Sequence, residues 1–311
     1  VERIATGLAK SGNKEALYTV VSWPENPEYR KMQKIGNLMV SENTWNLLDD
    51  DSTFDEGFKA FTSYLVSDDF RNNLDDFDAW DIAKGLTKIL VKRFDKGAEV
   101  FKNILQLQPL TNNQQIVIMG AFYDLPDENT NLQLRVFREL IKPTLLPLDS
   151  VKTVFSFDQA RESLVKFAEK LAKKKCYDEA LWLIERLITD DNPDKSGLNT
   201  KDDEKGEYNL HQRIIEGDDM MTIQTVRGWC AWALQQFVTV GGQKHLDQVI
   251  DYVEILTSDA NYYVRLQACV PLTALARNRY SVLPNTKVRF MTDKQVEKTE
   301  KLVFQMMFSD E

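Results

Sequence analysis

The segments Phe54-Asp55-Glu56-Gly57-Phe58-Lys59-Ala60-Phe61 and Phe94-Asp95-Lys96-Gly97-Ala98-Glu99-Val100-Phe101 repeat one pattern 40 residues apart. A fixed period near forty belongs to arrays of helix pairs, in which each unit buries its apolar face against its neighbours. The same layout of aromatic, Asp, polar, small and apolar run returns at Tyr177-Asp178-Glu179-Ala180-Leu181-Trp182-Leu183-Ile184. It returns more loosely at Leu246-Asp247-Gln248-Val249-Ile250-Asp251-Tyr252-Val253, and Asn13-Lys14-Glu15-Ala16-Leu17 fits the phase upstream. Glycine inside a helix costs about 1 kcal/mol relative to alanine. Two glycines at one phase therefore predict a packing role, with Ala16, Gly57, Gly97 and Ala180 letting the paired helix approach closely. The Asp of each copy, or its polar neighbour, is expected to cap the helix by accepting from a free backbone N–H.

The second helix of the unit is read most directly near residues 226 and 264. Val226, Cys230, Leu234 and Phe237 line up with Val264, Ala268, Leu272 and Leu275, an apolar stripe at i, i+4, i+8 and i+11 in both. A helix over 245–257 lies between them, and Ser258-Asp259 supplies a turn. Asp259, Val264-Arg265, Ala268 and Leu272 resemble the second half of a HEAT repeat. That resemblance implies arginines tied to acidic groups between neighbouring units, and Pro271 resembles the proline kinks of such arrays. Tyr177 to Ala180 is similar to tetratricopeptide units. The fold expected is all-α, an α-solenoid of stacked antiparallel helix pairs. Strand periodicity is absent; Val20-Val21-Ser22-Trp23 runs into Pro24 and Pro27 and reads as a helix end and turn.

The phase breaks once. Thr189-Asp190 aligns with Ser258-Asp259, yet the next Val-Arg pair comes only at Val226-Arg227, about 31 residues late. The expected organisation is helical repeats over 1–190, an acidic flexible insert over 191–221, and repeats of the same solenoid over 222–311. The insert carries Asp194, Asp202 and Asp203 as candidate functional residues, and its polar composition cannot bury enough apolar surface to fold alone. Oxygen-bearing residues from Asn192 to Asp203, with Gly197 sixth, approximate a calcium-loop spacing. Asn in first place, Asn199 in the apolar eighth place and Asp203 in place of a bidentate Glu read instead as a polar loop.

Composition narrows the function classes. Of 311 residues, 43% are hydrophobic and 28% charged, enough for a substantial core, and the net charge of −9 disfavours phosphate backbones. No apolar run is long enough to span a membrane. Cys176, Cys230 and Cys269 lack CxxC spacing and read as buried, reduced thiols, in keeping with a cytoplasmic protein. With two histidines and no nucleophile, phosphate or dinucleotide motif, the chain is expected to bind rather than catalyse, with no cofactor and no metal site. Asp49-Asp50-Asp51, Asp68-Asp69 and Asp75-Asp76 read as solvated turns, and Lys166, Lys170 and Lys173-Lys174-Lys175 as the cationic end of a helix. In the register above, Trp232 matches Val270 at a buried position and Trp229 matches Gln267 at an exposed one.

Trp229, Arg227 and Arg265 are accordingly the candidate partner-binding residues. The leading expectation is a scaffold or regulatory module that binds a protein partner. The chain opens on Val1 without a methionine, which reads as a piece of a longer protein. The final helix ends in Met306-Met307-Phe308, an apolar end where terminal repeats need polar faces, so further chain or a partner is expected beyond it. In this respect the chain resembles helical-repeat portions of bacterial sensor or defence proteins. Two alternatives stand beside it. One is nucleic-acid binding like that of the HEAT-like DNA glycosylases, through Trp229 and the lysine run. The other is an effector or protease substrate regulated through 191–221.

Overall fold

The structure is a computed structural model, and it describes residues 45–74, 76–146, 151–190, 225–283 and 287–308. The helical reading of 20–27, Ala16, the whole 191–221 insert with Asp194, Asp202 and Asp203, and the calcium-loop spacing lie outside these residues. The described residues are helical throughout. Their one β feature is an isolated bridge between Val282 and Arg289. The helices are α1 (Phe54–Leu65), α2 (Asp76–Lys92), α3 (Phe94–Leu105), α4 (Asn112–Tyr123), α5 (Thr130–Val136), α6 (Lys142–Leu145), α7 (Asp158–Lys173), α8 (Tyr177–Leu187), α9 (Val226–Gln235), α10 (Leu246–Thr257), α11 (Tyr262–Asn278) and α12 (Asp293–Phe308).

The chain divides into two compact units, one of residues 1–148 and 152–160, the other of 149–151 and 161–311. The division falls in the first turn of α7, so 161–190 groups with the C-terminal helices and not with the N-terminal repeats.

In the first unit, α2 packs on both α3 and α4. Its Ala79, Ile82, Ala83, Leu86, Ile89 and Leu90 form one buried stripe. The repeated glycines sit where backbones meet. A Cβ on Gly57 would stand 2.9 Å from Leu47 Cβ, and one on Gly97 would stand 2.7 Å from Leu90 Cδ2 and 3.0 Å from its Cα. Only hydrogen fits there, which explains the repeat of glycine at this phase. The α4 helix has no solvent face over most of its length: every residue from Gln114 to Phe122 is buried. Its two glutamines are satisfied internally. Gln114 closes a capping box with Thr111, and Gln115 donates to the Leu110 carbonyl at 3.1 Å and accepts from Phe157 N at 2.9 Å. Between α5 and α6 the helix adopts π geometry over Phe137–Ile141. Pro143 follows after Lys142; having no N–H, it cannot continue the ladder to Glu139, and the wider turn accommodates the break.

In the second unit, α9 packs on α11 and α10 on α12. All eight residues of the paired stripes, Val226, Cys230, Leu234 and Phe237 with Val264, Ala268, Leu272 and Leu275, are buried. Pro271 lies inside α11. The α7 helix ends with Lys175 at φ 64°, Cys176 N donating to the Leu171 carbonyl and Lys175 N to that of Ala172, both at 2.9 Å. This is the left-handed terminus usually given to glycine.

One local expectation fails. Asp55, Asp95, Asp178 and Asp247 do not cap their helices. The preceding aromatic or leucine already has helical dihedrals, so each Asp is the second helical residue. The cap positions Thr53, Arg93, Cys176 and His245 make no side-chain cap bond. The carboxylates instead lie in the first turn, where the helix dipole favours negative charge.

Candidate functional site

The repeated aromatic-Asp pair receives a cation from the following unit. Asp55 accepts from Arg93 at 2.9 Å and Lys96 at 2.8 Å, and the Arg93 guanidinium lies 4.2 Å over the Phe54 ring. Asp95 accepts from Arg135 at 2.7 Å, with that guanidinium 3.7 Å over Phe94. The hydrogen bond from Lys96 is the main reason the Asp55 carboxyl titrates below its usual range. In the second unit the cation is Lys244, 3.5 Å from Asp178 Oδ2, and an imidazole stands beside it: His245 Nε2 is 3.4 Å from Asp178 Oδ1, its ring 5.7 Å from Tyr177. Exposed pairs of this kind add little stability. Their role here is register, since each repeat offers its neighbour one aromatic face and one carboxylate.

His245 departs from the others because it is enclosed. Burial, then the charge of Lys244, lower its pKa from 6.5, and the attraction of Asp178 only partly opposes them. The unfolded chain therefore takes up this proton first as pH falls. The stability linked to His245 is intact above about pH 6.5 and is lost as pH drops through the lower folded value. His245→Gln should flatten the pH dependence of urea unfolding just below about pH 6.5. An unchanged slope would mean the imidazole titrates alike in both states.

A second ladder runs along the starts of α7, α9 and α11. Arg161 is fully buried and its Nε donates to Asp190 Oδ2 at 2.5 Å. Arg227 donates Nη1 to the Asp190 carbonyl and Nε to Asp259 Oδ2 at 2.7 Å. Arg265 donates to the carbonyls of Asp259 at 2.9 Å and Ala260 at 3.1 Å. Arg227 is thus held between two turns and serves the scaffold, while Arg265 lies further out, beside a groove. Arg161 escaped the sequence reading because no valine precedes it. The signal was its distance to the turn: 29 residues from Arg161 to Asp190, against 32 from Arg227 to Asp259.

Trp229 is half-buried, not exposed, and Lys166 Nζ lies 4.4 Å over its ring. Its register partner Gln267 is only 3% exposed, because Gly228 leaves room for the glutamine side chain in the α9–α11 contact. Trp232 and its partner Val270 are likewise half-buried. One face of Trp229 is therefore already occupied by a cation, where a stacking role would need it open. Of the cysteines only Cys230 is fully buried, and burial pushes its thiol pKa well up. Cys176 and Cys269 are half-exposed.

An open apolar surface lies on α11 and α12. One side of α12 is fastened to α10: Lys298 Nζ reaches Asp251 and Glu254, each at 2.6 Å, and Gln295 donates to Asp247 at 2.9 Å. The two carboxylates raise the Lys298 pKa. The other side carries Phe304, Met307 and Phe308 at 65%, 71% and 56% exposure, with the two phenylalanine rings 4.5 Å apart. Beside them a groove of about 400 Å³, open to solvent, runs between the helices. Its floor is formed by Leu266, Cys269, Leu272, Ala276, Val303 and Met306, and its rim carries Arg265, Arg277 and Arg279. Among the described residues no acidic side chain lines it. Glu300, just outside, lies 3.4 Å from Arg279 Nε.

No helix among the described residues is long and apolar enough to cross a membrane. No protein-family model matches the chain. No curated protein matches it either.

Proposed function

We propose that this chain is a non-enzymatic α-solenoid module of HEAT-like character that binds a protein partner as part of a larger protein or complex. One observation carries the reading: the exposed Phe304, Met307 and Phe308 adjoin an open groove on a helix otherwise pinned by ion pairs. Contiguous apolar surface beside polar rims marks protein contacts more often than solvent-facing structure. The Arg161-Asp190 and Arg227-Asp259 ladder supports the HEAT-like assignment, since it ties one helix pair to the next as that resemblance implies.

The test is affinity capture with the intact protein and with a Phe304→Asp, Met307→Asp double variant, read by quantitative mass spectrometry. Both positions are exposed, so the variant should keep its fold and helical circular dichroism. A protein recovered stoichiometrically by the wild type and lost by the variant is the expected result. Identical recovery by both, or no specific protein with either, would refute the reading.

A further inference from the structure

We infer that the α11–α12 groove is the seat of one more second helix of the array, an amphipathic helix that the protein partner supplies, lying alongside α11 with its apolar stripe on the groove floor. The inference rests on the protein-binding reading above and adds to it the place and the pattern of the occupant.

The repeat register shows what is uncovered. Thr189-Asp190 follows α8 and Ser258-Asp259 follows α10, and in the sequence Ser309-Asp310 follows α12 in the same way. Aligned on these pairs, Ile184, Leu187 and Ile188 of α8 match Val253, Leu256 and Thr257 of α10. Both sets match Phe304, Met307 and Phe308 of α12. The first two sets are buried, with no residue above 8% exposure, whereas no residue of the third is below 56%. The α12 helix also holds its predecessor as a first helix does: Gln295 reaches Asp247 of α10, as Lys96 of α3 reaches Asp55 of α1. It is therefore a first helix with the side open that α8 and α10 bury.

The second helices agree. Aligned from Val226 and Val264, Gly228, Ala231 and Val238 in and just after α9 match Leu266, Cys269 and Ala276 of α11. The α9 helix packs on α11 with Gly228 against Gln267, and its three residues are buried. Their three counterparts on α11 are only partly buried and form the groove floor. The side that one second helix gives to the next is thus open on α11, beside the open side of α12. A single helix covers both, since a second helix packs on the second helix before it and on the first helix of its own unit, as α11 does on α9 and α10. The groove continues the helix interface already built between α9 and α11.

Shape fits the same occupant. The lining of α11 from Arg265 to Arg277 spans about 18 Å at about 1.5 Å per residue, the span of an i to i+11 stripe. A groove open on one side covers the apolar face of a helix and leaves its polar face in water. Met306 and Met307 supply adaptable contacts. A second copy offers no such helix among the described residues, because the apolar stripes of α2, α4, α7, α9 and α11 are already buried.

The probe is a synthetic helical peptide of about 16 residues with leucines at i, i+4, i+8 and i+11, the stripe of α9 and α11, among equal numbers of Glu and Lys. Its control has the same composition with the leucines spread round the helix. Iodoacetamide alkylation of the full chain, followed by peptide mass spectrometry, reads Cys269 on the groove floor against Cys176 between α7 and α8. The striped peptide should protect Cys269 and leave Cys176 unchanged, and the control should protect neither. Thr273 is exposed in the groove, so Thr273→Trp fills it without touching the core and should weaken the striped peptide about tenfold.

No protection by the striped peptide, equal protection by both peptides, or full binding to Thr273→Trp would overturn the inference. Cys269 masked without peptide in a concentration-dependent dimer would overturn it in favour of a second copy. The two readings fail separately. A captured partner that Thr273→Trp still binds in full leaves protein binding standing and removes the groove assignment. Docking of the striped peptide with no protein captured keeps the helix seat and removes the partner reading.

Discussion

Replacing Arg161 with alanine is expected to destabilise the C-terminal unit by about 3–5 kcal/mol, the range for removing one member of a buried ion pair. The guanidinium is 0% exposed and its Asp190 partner 5%, with 2.5 Å between Nε and Oδ2. Alanine would take away the guanidinium that the buried Asp190 carboxylate meets at 2.5 Å, close to Cys230. The hydrogen bond from Arg227 to the Asp190 carbonyl neutralises the backbone group, not the carboxylate. A second variant separates charge from packing. Arg161→Met with Asp190→Leu removes both ions and keeps the volume, and should cost less than Arg161→Ala alone, because both ends of the buried pair go together. Urea unfolding followed by circular dichroism reads both. A loss below about 1 kcal/mol for Arg161→Ala would class the pair with exposed ones and refute its placement.

Gly242→Ala is expected to cost about 3 kcal/mol, at the upper end for forcing an extra methyl into packed structure. A Cβ at residue 242 would stand 2.0 Å from the Phe237 carbonyl oxygen and 3.0 Å from its Cα. Those are backbone atoms. Phe237 is fully buried and its ring packs 5.1 Å from Tyr177, so the segment cannot retreat without opening the α8 contact. Gly228→Ala is the control. Its Cβ would meet the side-chain end of Gln267, which can turn aside, and the penalty should be clearly smaller. Equal melting temperatures for wild type and Gly242→Ala would show that the turn after α9 is looser than its geometry implies.

What could be read in advance was what depends on neighbours close in the chain. The stripes of α9 and α11 follow from helical periodicity, and all eight residues are buried as that period requires. Glycine at one repeat phase foretold close approach, and Leu47 and Leu90 are the atoms that demand it. The aspartates were placed one residue too far out, because the aromatic before each is already inside the helix. The polarity of Gln267 predicts an exposed Trp229, yet that glutamine is buried where Gly228 provides space. Polarity ranks solvent preference, and a local gap in packing overrides it. Gln114 and Gln115 make the same point on α4, where enclosed amides are tolerated because backbone carbonyls meet them.

The sequence by itself determined the helical class and the repeat phase, because both follow from backbone geometry over a few turns. It also marked Asp190 and Asp259 as equivalent turns, through spacing alone. Only the tertiary structure decided which charges meet. Arg161 with Asp190, Arg135 with Asp95 and Lys298 with Asp251 join residues that sequence distance does not pair, since any of many cations could reach each carboxylate. Only the tertiary structure, likewise, decided that the apolar end of α12 lies beside a groove lined by arginines. Coverage of an apolar residue is a property of what packs over it, and the amphipathic period says which side is apolar without saying what covers it.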